Sequence, residues 1–490
     1  MKEKTRKTKS IKLNSVLYAF KVMLGIVSPL ITFPYVCRVL SPESIGAVSF
    51  SNSIISYFVL LAGLGISSYA VRKGVQYREE KDKFETFVSE VFTINLCSTI
   101  CAYLLFAVML CFSEKWQGYL SLMLVISLTI PLTTLGMEWV FTIYEEYLYI
   151  TLRSLIVQIC SIAFLFIFVR GEEDVFAYAV FTVFVSVGSN LFNFFKVKDY
   201  CRIRIAFTKG ITEHLKPILI LFFSAVACQI YLHSDVTMLG YFATDREVGL
   251  YSAAAKIYNL VKTVLAVFIT VSVPRLSYYA KQNEEEFRQL FCKVINVLMI
   301  FILPITIGVF VLSDEVIMII SGADYVSAGA ALRIMSLTVP FSVLGSCMAS
   351  GYLLPHEKEK QIMYATILGA VVNIGLNLYF IPKYGECGAA LTMLIAEMLV
   401  LAVHIYNVFK AFRTQGVFKN LLQCALASVV IIPICAFLGG VFSNIYLFVI
   451  TSVAVSAAVY FVLLLIFRNE MFRSVLSQMI TMLKKRLGKS

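Results

Sequence analysis

The residues of this sequence that are best placed to do chemistry are ionisable side chains inside long apolar stretches. Three are lysines, Lys21, Lys256 and Lys262, and two are carboxylates, Asp235 and Glu397. A charge at the centre of a lipid bilayer costs about 2.5 kcal/mol or more unless it faces water or a partner. We therefore expect these side chains to pair with one another or to line a wet cavity, where the lysines could bind an anion.

Lys256 and Asp235 form the most specific pair of these. Each lies about seven residues from the same predicted turn, so the two side chains have equal depth on neighbouring antiparallel helices. The pair is either purely structural or a substrate or proton site whose partner exchanges. His233 favours the second interpretation because imidazole titrates near neutral pH. Glu397 and His404 could likewise handle protons or form a satisfied polar pair.

Charged residues near the ends of the apolar stretches also have two interpretations each. Arg72 and Arg275 either anchor the chain at the membrane surface or hold an anion with their planar donor forks. Arg38 is either a surface anchor or part of a gate. Glu138 either pairs locally, with Arg153 as the nearest candidate, or takes part in gating.

The composition indicates that membrane helices position these residues. Hydrophobic residues make up 59% of the chain, charged residues 15%, and the mean hydropathy is +0.83. Apolar runs of about 20 residues recur, which is enough to cross a hydrocarbon core of about 30 Å as helices. We predict an all-α polytopic protein with an uncleaved first span and about fourteen spans, at 13–37, 44–69, 86–112, 118–140, 148–169, 174–195, 215–242, 249–273, 290–312, 328–351, 360–381, 386–409, 418–440 and 444–467.

The distribution of positive charge predicts the orientation of these spans. With the N-terminus inside, 33 of the 42 Lys and Arg residues fall in inside segments and five fall in outside loops. This bias predicts that both termini are cytoplasmic. The net charge of +12 is explained by basic loops that face an anionic leaflet, so we expect membrane lipids rather than nucleic acid as partners.

An internal repeat indicates what kind of membrane protein this is. The segment PESIGAVSFSNSI from Pro42 returns in degraded form as DREVGLYSAAAKI from Asp245. The same offset of 203 residues aligns Arg72 with Arg275. Equivalent segments separated by an even number of crossings keep the same orientation, and such duplicated lobes are typical of transporters that rock between inward-open and outward-open states.

Several kinds of site are not expected. The twelve cysteines are scattered, without a CxxC motif or a Cys/His ligand spacing, so we predict neither disulfides nor a metal. No nucleophile elbow, phosphate-binding glycine loop or paired-carboxylate motif is present, so we predict no catalytic residues. The short outside loops also argue against a membrane-bound polysaccharide polymerase, which remains a remote alternative.

Four segments of the chain carry a resemblance to a known family. They are SVLYAFKVMLGIVSPLITFPYVCRVLSPESIGAVSFSNSI, GMEWVFTIYEEYLYITLRSLI, MLGYFATDREVGLYSAAAKI and LGAVVNIGLNLYFIPKYGECGAALTMLIAE, in matching order over residues 10–410. Together they resemble the Wzx-type oligosaccharide flippases of the multidrug/oligosaccharidyl-lipid/polysaccharide exporter superfamily. The resemblance implies two six-helix lobes at 1–200 and 215–410, a cytoplasmic linker at 201–214, and two further helices with a basic tail at 411–490.

The resemblance also implies a substrate. This would be an undecaprenyl-pyrophosphate-linked oligosaccharide, moved from the inner to the outer leaflet of the cytoplasmic membrane for capsule, O-antigen or exopolysaccharide assembly. Polymerase and chain-length machinery would be partners. We expect no cofactor, and protons, sodium, the membrane potential or removal of the product are the alternatives for the driving force. The cavity would bind pyrophosphate through its cations, which are Lys21, Arg72, Lys256, Lys262 and Arg275. A multidrug cation/proton antiporter and a lipid II flippase of the same superfamily are the alternatives.

Overall fold

The computed structural model describes the backbone of residues 11–208, 210–408 and 416–486. Side chains are described in these ranges except at 11–22, 24, 26, 224, 479, 480 and 482–486. The described backbone consists of α-helices with short 3₁₀ and π-helical turns, and it contains no β-strand. The predicted all-α fold class is therefore confirmed.

The described residues divide into two compact units on either side of the bond between Gly240 and Tyr241. The seventh predicted span, 215–242, thus falls in the first unit. The two predicted lobes instead separate near residue 200, and that division stays a prediction. The helices of the first unit are α1 (Ile11–Val39), α2 (Pro42–Gly63), α3 (Ile66–Gly74), α4 (Lys81–Phe112), α5 (Glu114–Gln117), α6 (Leu120–Ser127), α7 (Thr129–Gly136), α8 (Glu138–Ile143), α9 (Tyr147–Phe168), α10 (Val175–Lys196) and α11 (Ile211–Phe242), which ends just past the boundary.

The second unit begins with a long helix and ends with a more polar one. Its helices are α12 (Asp245–Gln282), α13 (Glu284–Val311), α14 (Ser313–Ser321), α15 (Ala328–Met348), α16 (Glu359–Val408), α17 (Val417–Val429), α18 (Ile431–Val441), α19 (Ile445–Ile466) and α20 (Glu470–Arg486). Helix α15 packs against α12, α13 and α16, so it lies at the centre of this unit.

Twelve helices within the described residues are long and apolar enough to cross a membrane. The chain is therefore a polytopic membrane protein, but the expected number of fourteen spans stays a prediction. Helix α16 is counted once over 50 residues although its backbone breaks at Gly385, with φ 52° and ψ −130°. Only glycine adopts that conformation readily, and a Cβ there would also collide with the Glu247 carboxylate. Within α1, Val27–Val39 is counted as a shorter apolar helix.

The internal repeat reappears in the positions of the helix starts. Ser41 caps α2 and Thr244 caps α12, and each accepts a hydrogen bond from a backbone N–H three residues further on, at 3.3 Å. Such caps satisfy backbone donors that a helix leaves unpaired in its first turn. Phe84 of α4 and Phe287 of α13 are likewise equivalent, and both are fully buried. The duplication inferred from the sequence therefore extends to helix boundaries and core positions.

One apolar core of the first unit positions its polar site. Helix α3 packs against α4 and α8, and the buried residues between them include Phe87, Trp139 and Ile218 of α11. The Phe87 ring lies 5.4 Å from the ring of His214 and 6.4 Å from that of Tyr69, measured between centroids. Because the rings of His214 and Tyr69 pack against this core, the ring nitrogens of His214 and the hydroxyl of Tyr69 have little freedom to move.

Candidate functional site

A chain of hydrogen bonds in the first unit joins α3, α4 and α11. The Tyr69 Oη atom lies 2.6 Å from His214 Nδ1, and His214 Nε2 lies 2.9 Å from Glu90 Oε2. Each of the three residues is at least nine-tenths buried, with 4%, 7% and 7% exposure for Tyr69, Glu90 and His214. A buried carboxylate is tolerated when hydrogen bonds replace its lost hydration. We refer to Tyr69, His214 and Glu90 as the relay.

The segment between α10 and α11 is attached to α4 beside the relay. The Arg204 backbone N–H donates to Ser89 Oγ at 3.2 Å, and the Thr208 hydroxyl donates to Glu90 Oε1. Gly210 lies so close that a Cβ at this position would be 2.6 Å from Glu90 Oε1. One carboxylate therefore accepts hydrogen bonds from this connecting segment and from the first turn of α11.

A cavity of about 350 Å³ opens beside the tyrosine end of the relay. That volume falls within the usual range of small-ligand sites. A second cavity, of about 500 Å³, lies on the side of Glu90 and shares His214 with the first. The first cavity is lined by Tyr69, Arg72, Lys73, Gln76, Tyr77, Glu213, His214 and Pro217.

The first cavity contains two cations that are available to a ligand. Arg72 is exposed and forms neither an ion pair nor a hydrogen bond with any residue of the described chain. The Lys73 ammonium lies 5.4 Å from the centre of the Tyr77 ring, a weak attraction that leaves its charge uncompensated. Glu213 is the acidic residue of the lining, and it is exposed. Two cations against one carboxylate suit an anionic ligand that can accept several hydrogen bonds.

A partly buried ion pair lies in the second unit. The Lys262 ammonium lies 3.5 Å from Glu397 Oε1, where the side chains are 30% and 7% exposed, and 5.8 Å from the centre of the Tyr258 ring. The expected polar pair of Glu397 with His404 is wrong, because neither nitrogen of the buried His404 ring forms a hydrogen bond within the described residues. The other alternative for these two residues, proton handling, stays a prediction.

The two remaining predicted cations of the second unit are both on α12. Arg275 follows Pro274, is exposed, and has no ion-pair partner in the described part of the chain. Lys256 is exposed nearer the start of the same helix. Arg72 and Arg275 are equivalent in the repeat, and each has an exposed guanidinium. Their anion-binding role, like that of Lys256, stays a prediction.

His233 and Asp235 lie on the part of α11 that packs near α2. Asp235 is buried, and the partly buried His233 ring lies 6.5 Å from the Tyr57 ring between centroids. The Tyr57 hydroxyl is 3.2 Å from Thr237 Oγ1, which donates to Ser53 Oγ at 3.1 Å. Asp235 thus belongs to a polar strip of the first unit. Its predicted pairing with a lysine of the second unit stays a prediction.

Three further predicted residues belong to the first unit, one inside α1 and two near helix ends. Lys21 is on α1, but its side chain lies outside the described residues. Arg38 is exposed and donates to the Pro34 carbonyl of its own helix at 2.9 Å, which suits an anchor at a helix C-terminus. Glu138 forms the expected ion pair, with 2.8 Å between its Oε2 atom and Nη2 of the buried Arg153. A gating role for Arg38 or Glu138 stays a prediction.

An apolar cleft of about 300 Å³ lies in the second unit, between α13 and the pair α18 and α19. Ile300, Phe301 and Pro304 form one side of it, and Val449 and Phe461 lie opposite. Almost all of its lining atoms are carbon, so it suits a hydrocarbon chain rather than a polar group.

The described residues contain no group of three or more His, Cys, Asp and Glu side chains that could hold a metal ion. No disulfide links the described cysteines. Outside the spans, burial raises the pKa of the Cys201 thiol to about 12, so this residue is a packed thiol and not a nucleophile.

The sequence analysis did not predict the relay. Glu90 lies within the predicted span 86–112 and His214 lies at the edge of the predicted span 215–242, so both qualified as ionisable residues in apolar surroundings. Their proximity carried no signal, because 124 residues separate them. The same holds for Lys262 and Glu397, which are 135 residues apart.

Comparison with known proteins decides the family. The profile of the family described as polysaccharide biosynthesis protein matches residues 13–280, which is more than half of the 490 residues. The chain belongs to this polysaccharide biosynthesis family. The profile of the MatE family also matches residues 221–379. The resemblance inferred from four sequence segments is therefore confirmed.

Several relatives of this polysaccharide biosynthesis protein are named as transporters. A candidate O-antigen transporter of Shigella dysenteriae is 24% identical over 381 residues, covering 76% of this chain and 93% of the relative. The succinoglycan biosynthesis transport protein ExoT of Rhizobium meliloti is 21% identical over 463 residues, covering 91% of each. These names agree with the expectation that this family member is not an enzyme.

Solved structures show the same fold. The lipid II flippase MurJ in an inward closed conformation matches with a TM-score of 0.75 at 20% identity, covering 95% of this chain and all of that one. An outward-facing multidrug resistance MATE transporter of the MOP superfamily matches with a TM-score of 0.55 at 17% identity, covering 84% of this chain and all of that one. At such identities the likeness establishes the architecture and leaves the substrate open.

Proposed function

We propose that this protein is a flippase that moves a lipid-linked oligosaccharide, carried on undecaprenyl pyrophosphate, from the inner to the outer leaflet of the cytoplasmic membrane. The product would enter capsule, O-antigen or exopolysaccharide assembly. The observation that carries the proposal is the family match over residues 13–280, together with relatives named for O-antigen and succinoglycan transport.

The cavity of the first unit supports a pyrophosphate-bearing substrate. Arg72 and Lys73 present a planar donor fork and a point charge to one space of about 350 Å³. A guanidinium forms paired hydrogen bonds to phosphate oxygens, and it stays charged at any physiological pH. The charge distribution in the sequence predicts that this cavity would lie on the inner side of the membrane, where the loaded carrier would be made.

The physical problem that such a protein solves is desolvation. Pyrophosphate and sugar hydroxyls lose their hydration in hydrocarbon, at a cost of several kcal/mol for each unsatisfied group. Fixed cations and hydroxyls along the path replace that hydration, while the prenyl chain stays in lipid or in an apolar cleft such as the one beside α13. No covalent step is required.

The rest of the transport cycle follows from the duplicated architecture. Alternating access between an inward-open and an outward-open state would carry the headgroup, with Lys256, Lys262 and Arg275 as further cations along the path. Both termini would be cytoplasmic. Polysaccharide polymerase and chain-length proteins would receive the product, and a proton or sodium gradient would supply the energy.

Deletion of the gene tests the proposal. We expect the deletion strain to lose its surface polysaccharide and to accumulate an undecaprenyl-pyrophosphate-linked glycan on the inner leaflet, identified by mass spectrometry of extracted lipids. Complementation with the intact gene should clear it. Normal surface polymer and no accumulated glycan in the deletion strain would refute the proposal.

The match of the MatE profile to residues 221–379 favours a multidrug antiporter as the second candidate. The same strain separates the two functions, since loss of an antiporter raises sensitivity to cationic drugs without changing the lipid-linked glycans. Accumulation of lipid II in place of the glycan would assign the protein to the third candidate, a lipid II flippase.

A further inference from the structure

The relay of Tyr69, His214 and Glu90 is unusual because both nitrogens of a buried imidazole are hydrogen-bonded to groups that can exchange protons. The contacts are 2.6 Å to the tyrosine hydroxyl and 2.9 Å to the carboxylate. One such hydrogen bond is enough to fix the ring of a structural histidine. When both ring nitrogens have a partner, the ring can take up a proton without movement of any heavy atom.

The direction of the hydrogen bonds depends on how many protons the relay holds. With a neutral ring, His214 Nε2–H donates to Glu90 and the Tyr69 hydroxyl donates to Nδ1. With one more proton both ring nitrogens are donors, so Nδ1–H donates to the Tyr69 oxygen. The hydrogen of that hydroxyl is then available to a third group. Glu90 supports this second arrangement because a carboxylate stabilises an imidazolium that it touches.

The third group would lie in the cavity of about 350 Å³ that Tyr69 and His214 both line. An anion held there by Arg72 and Lys73 could accept the released Tyr69 O–H and would lie near the new positive charge. Anion binding and protonation of the relay would then favour each other, and by linkage each must strengthen the other equally.

We propose that the cavity between α3 and α11 binds a phosphate or pyrophosphate group together with one proton, which enters from water and resides on the relay. Tyr69 is the hydrogen-bond donor that appears when the proton arrives, and Glu90 is a positioning residue that acts through His214. This deepens the proposed function, on which it rests for the nature of the ligand, by naming where and how the carrier's pyrophosphate is recognised.

Other charged and titratable groups line the two cavities beside the relay, and their charges also affect how pyrophosphate binding depends on pH. Helix α3 and the turn after it contribute two cations and a phenol, α4 contributes a carboxylate and a lysine, and α11 contributes one carboxylate. Among the residues that the structure describes, Tyr69 and Glu90 are the ones hydrogen-bonded to the imidazole. The surrounding groups are Arg72, Lys73, Tyr77, Asp82, Lys83 and Glu213.

Calorimetry on the purified full-length protein tests the proposal with inorganic pyrophosphate as the probe. Titrations in buffers of different ionisation enthalpy give the number of protons taken up on binding. We expect net uptake of protons when pyrophosphate binds, so the affinity should rise as the pH falls. Absence of pyrophosphate binding, or binding without proton uptake, would overturn the proposal.

Three variants make the test specific. Tyr69→Phe should weaken pyrophosphate binding about tenfold, because one hydrogen bond to a charged ligand is lost. Glu90→Gln should reduce proton uptake toward zero, since the carboxylate that favours the imidazolium is gone. The matched control Glu213→Gln removes the same charge from the cavity wall without touching the imidazole, so it should tighten binding and keep the proton uptake. Wild-type affinity and proton uptake in both Tyr69→Phe and Glu90→Gln would refute the assignment.

Parallel titrations identify the source of the phosphate group. Farnesyl pyrophosphate binding more tightly than inorganic pyrophosphate would assign the site to a prenyl-linked carrier. Competition by phosphatidylglycerol in nanodiscs would assign it to a membrane headgroup. Because none of these measurements requires flipping, a failure here and a failure of the deletion experiment are separate results.

Discussion

The ion pair between Glu138 and Arg153 predicts that a double variant lacking both charges is more stable than a single variant lacking only the carboxylate. Arg153 is 3% exposed, and its Nε and Nη1 atoms form no hydrogen bond within the described residues. The contact of 2.8 Å to Glu138 is therefore the main compensation for a buried charge. Glu138→Ala removes that compensation and leaves the guanidinium in place.

The magnitude follows from the asymmetry of the pair. Removing one partner of a fully buried ion pair costs about 3–5 kcal/mol. The Glu138 side chain is 41% exposed, so water screens part of the interaction and can reach the site after the change. We therefore expect Glu138→Ala to destabilise the first unit by about 2 kcal/mol. Adding Arg153→Met removes the buried charge and should recover most of that loss, because a thioether of similar length fills the space.

Intrinsic fluorescence during heating of the detergent-purified protein measures this directly. The two tryptophans of the chain, Trp116 and Trp139, are both buried in the first unit, so the signal reports that unit alone. A loss of 2 kcal/mol corresponds to a fall in Tm of about 4–8 °C for a unit of this size. The double variant should melt within about 3 °C of the wild type.

Two results would contradict the reasoning. An unchanged Tm in Glu138→Ala would mean that water already solvates Arg153. A double variant less stable than Glu138→Ala would mean that the guanidinium stabilises the fold through contacts other than its carboxylate partner.

Three further predictions concern the second unit. Lys256→Ala should abolish export of surface polymer while membrane insertion stays normal, and export at the wild-type rate, measured by polymer immunoblot, would remove this lysine from the substrate path. Gly385→Ala should cost about 1–3 kcal/mol because its φ of 52° disfavours a side chain, whereas Gly375→Ala, with nothing within 4 Å, should be neutral or stabilising by circular dichroism melts. The hydrogen bond from Lys419 lowers the pKa of Glu470, so the pair stabilises α20 above the ordinary carboxyl range and is lost as the pH falls through the lowered value. Glu470→Gln should then lower the hydrogen-exchange protection factors of α20 at neutral pH, and protection factors equal to those of the wild type would rule the pair out.

Local properties of the sequence were enough to predict the class of the protein and the approximate positions of its main helices. Apolar runs of about 20 residues mark the spans, because a helix satisfies all of its backbone hydrogen bonds within one segment and can therefore cross lipid. The repeat predicted that α12 would begin where α2 begins, and the caps Ser41 and Thr244 occupy equivalent positions. The pairing of Glu138 with Arg153 was also accessible, since only a short turn separates α8 from α9.

Contacts between distant segments were decided by the tertiary structure alone. Glu397 could pair with any cation that packing brings near, and the fold selects Lys262, which is 135 residues away along the chain. Glu90 and His214 meet because α4, α11 and the segment before α11 pack around one aromatic core. Hydropathy shows that a charged side chain lies in a span. Which neighbour neutralises it depends on helix rotation and register, and these are fixed only when the side chains interlock.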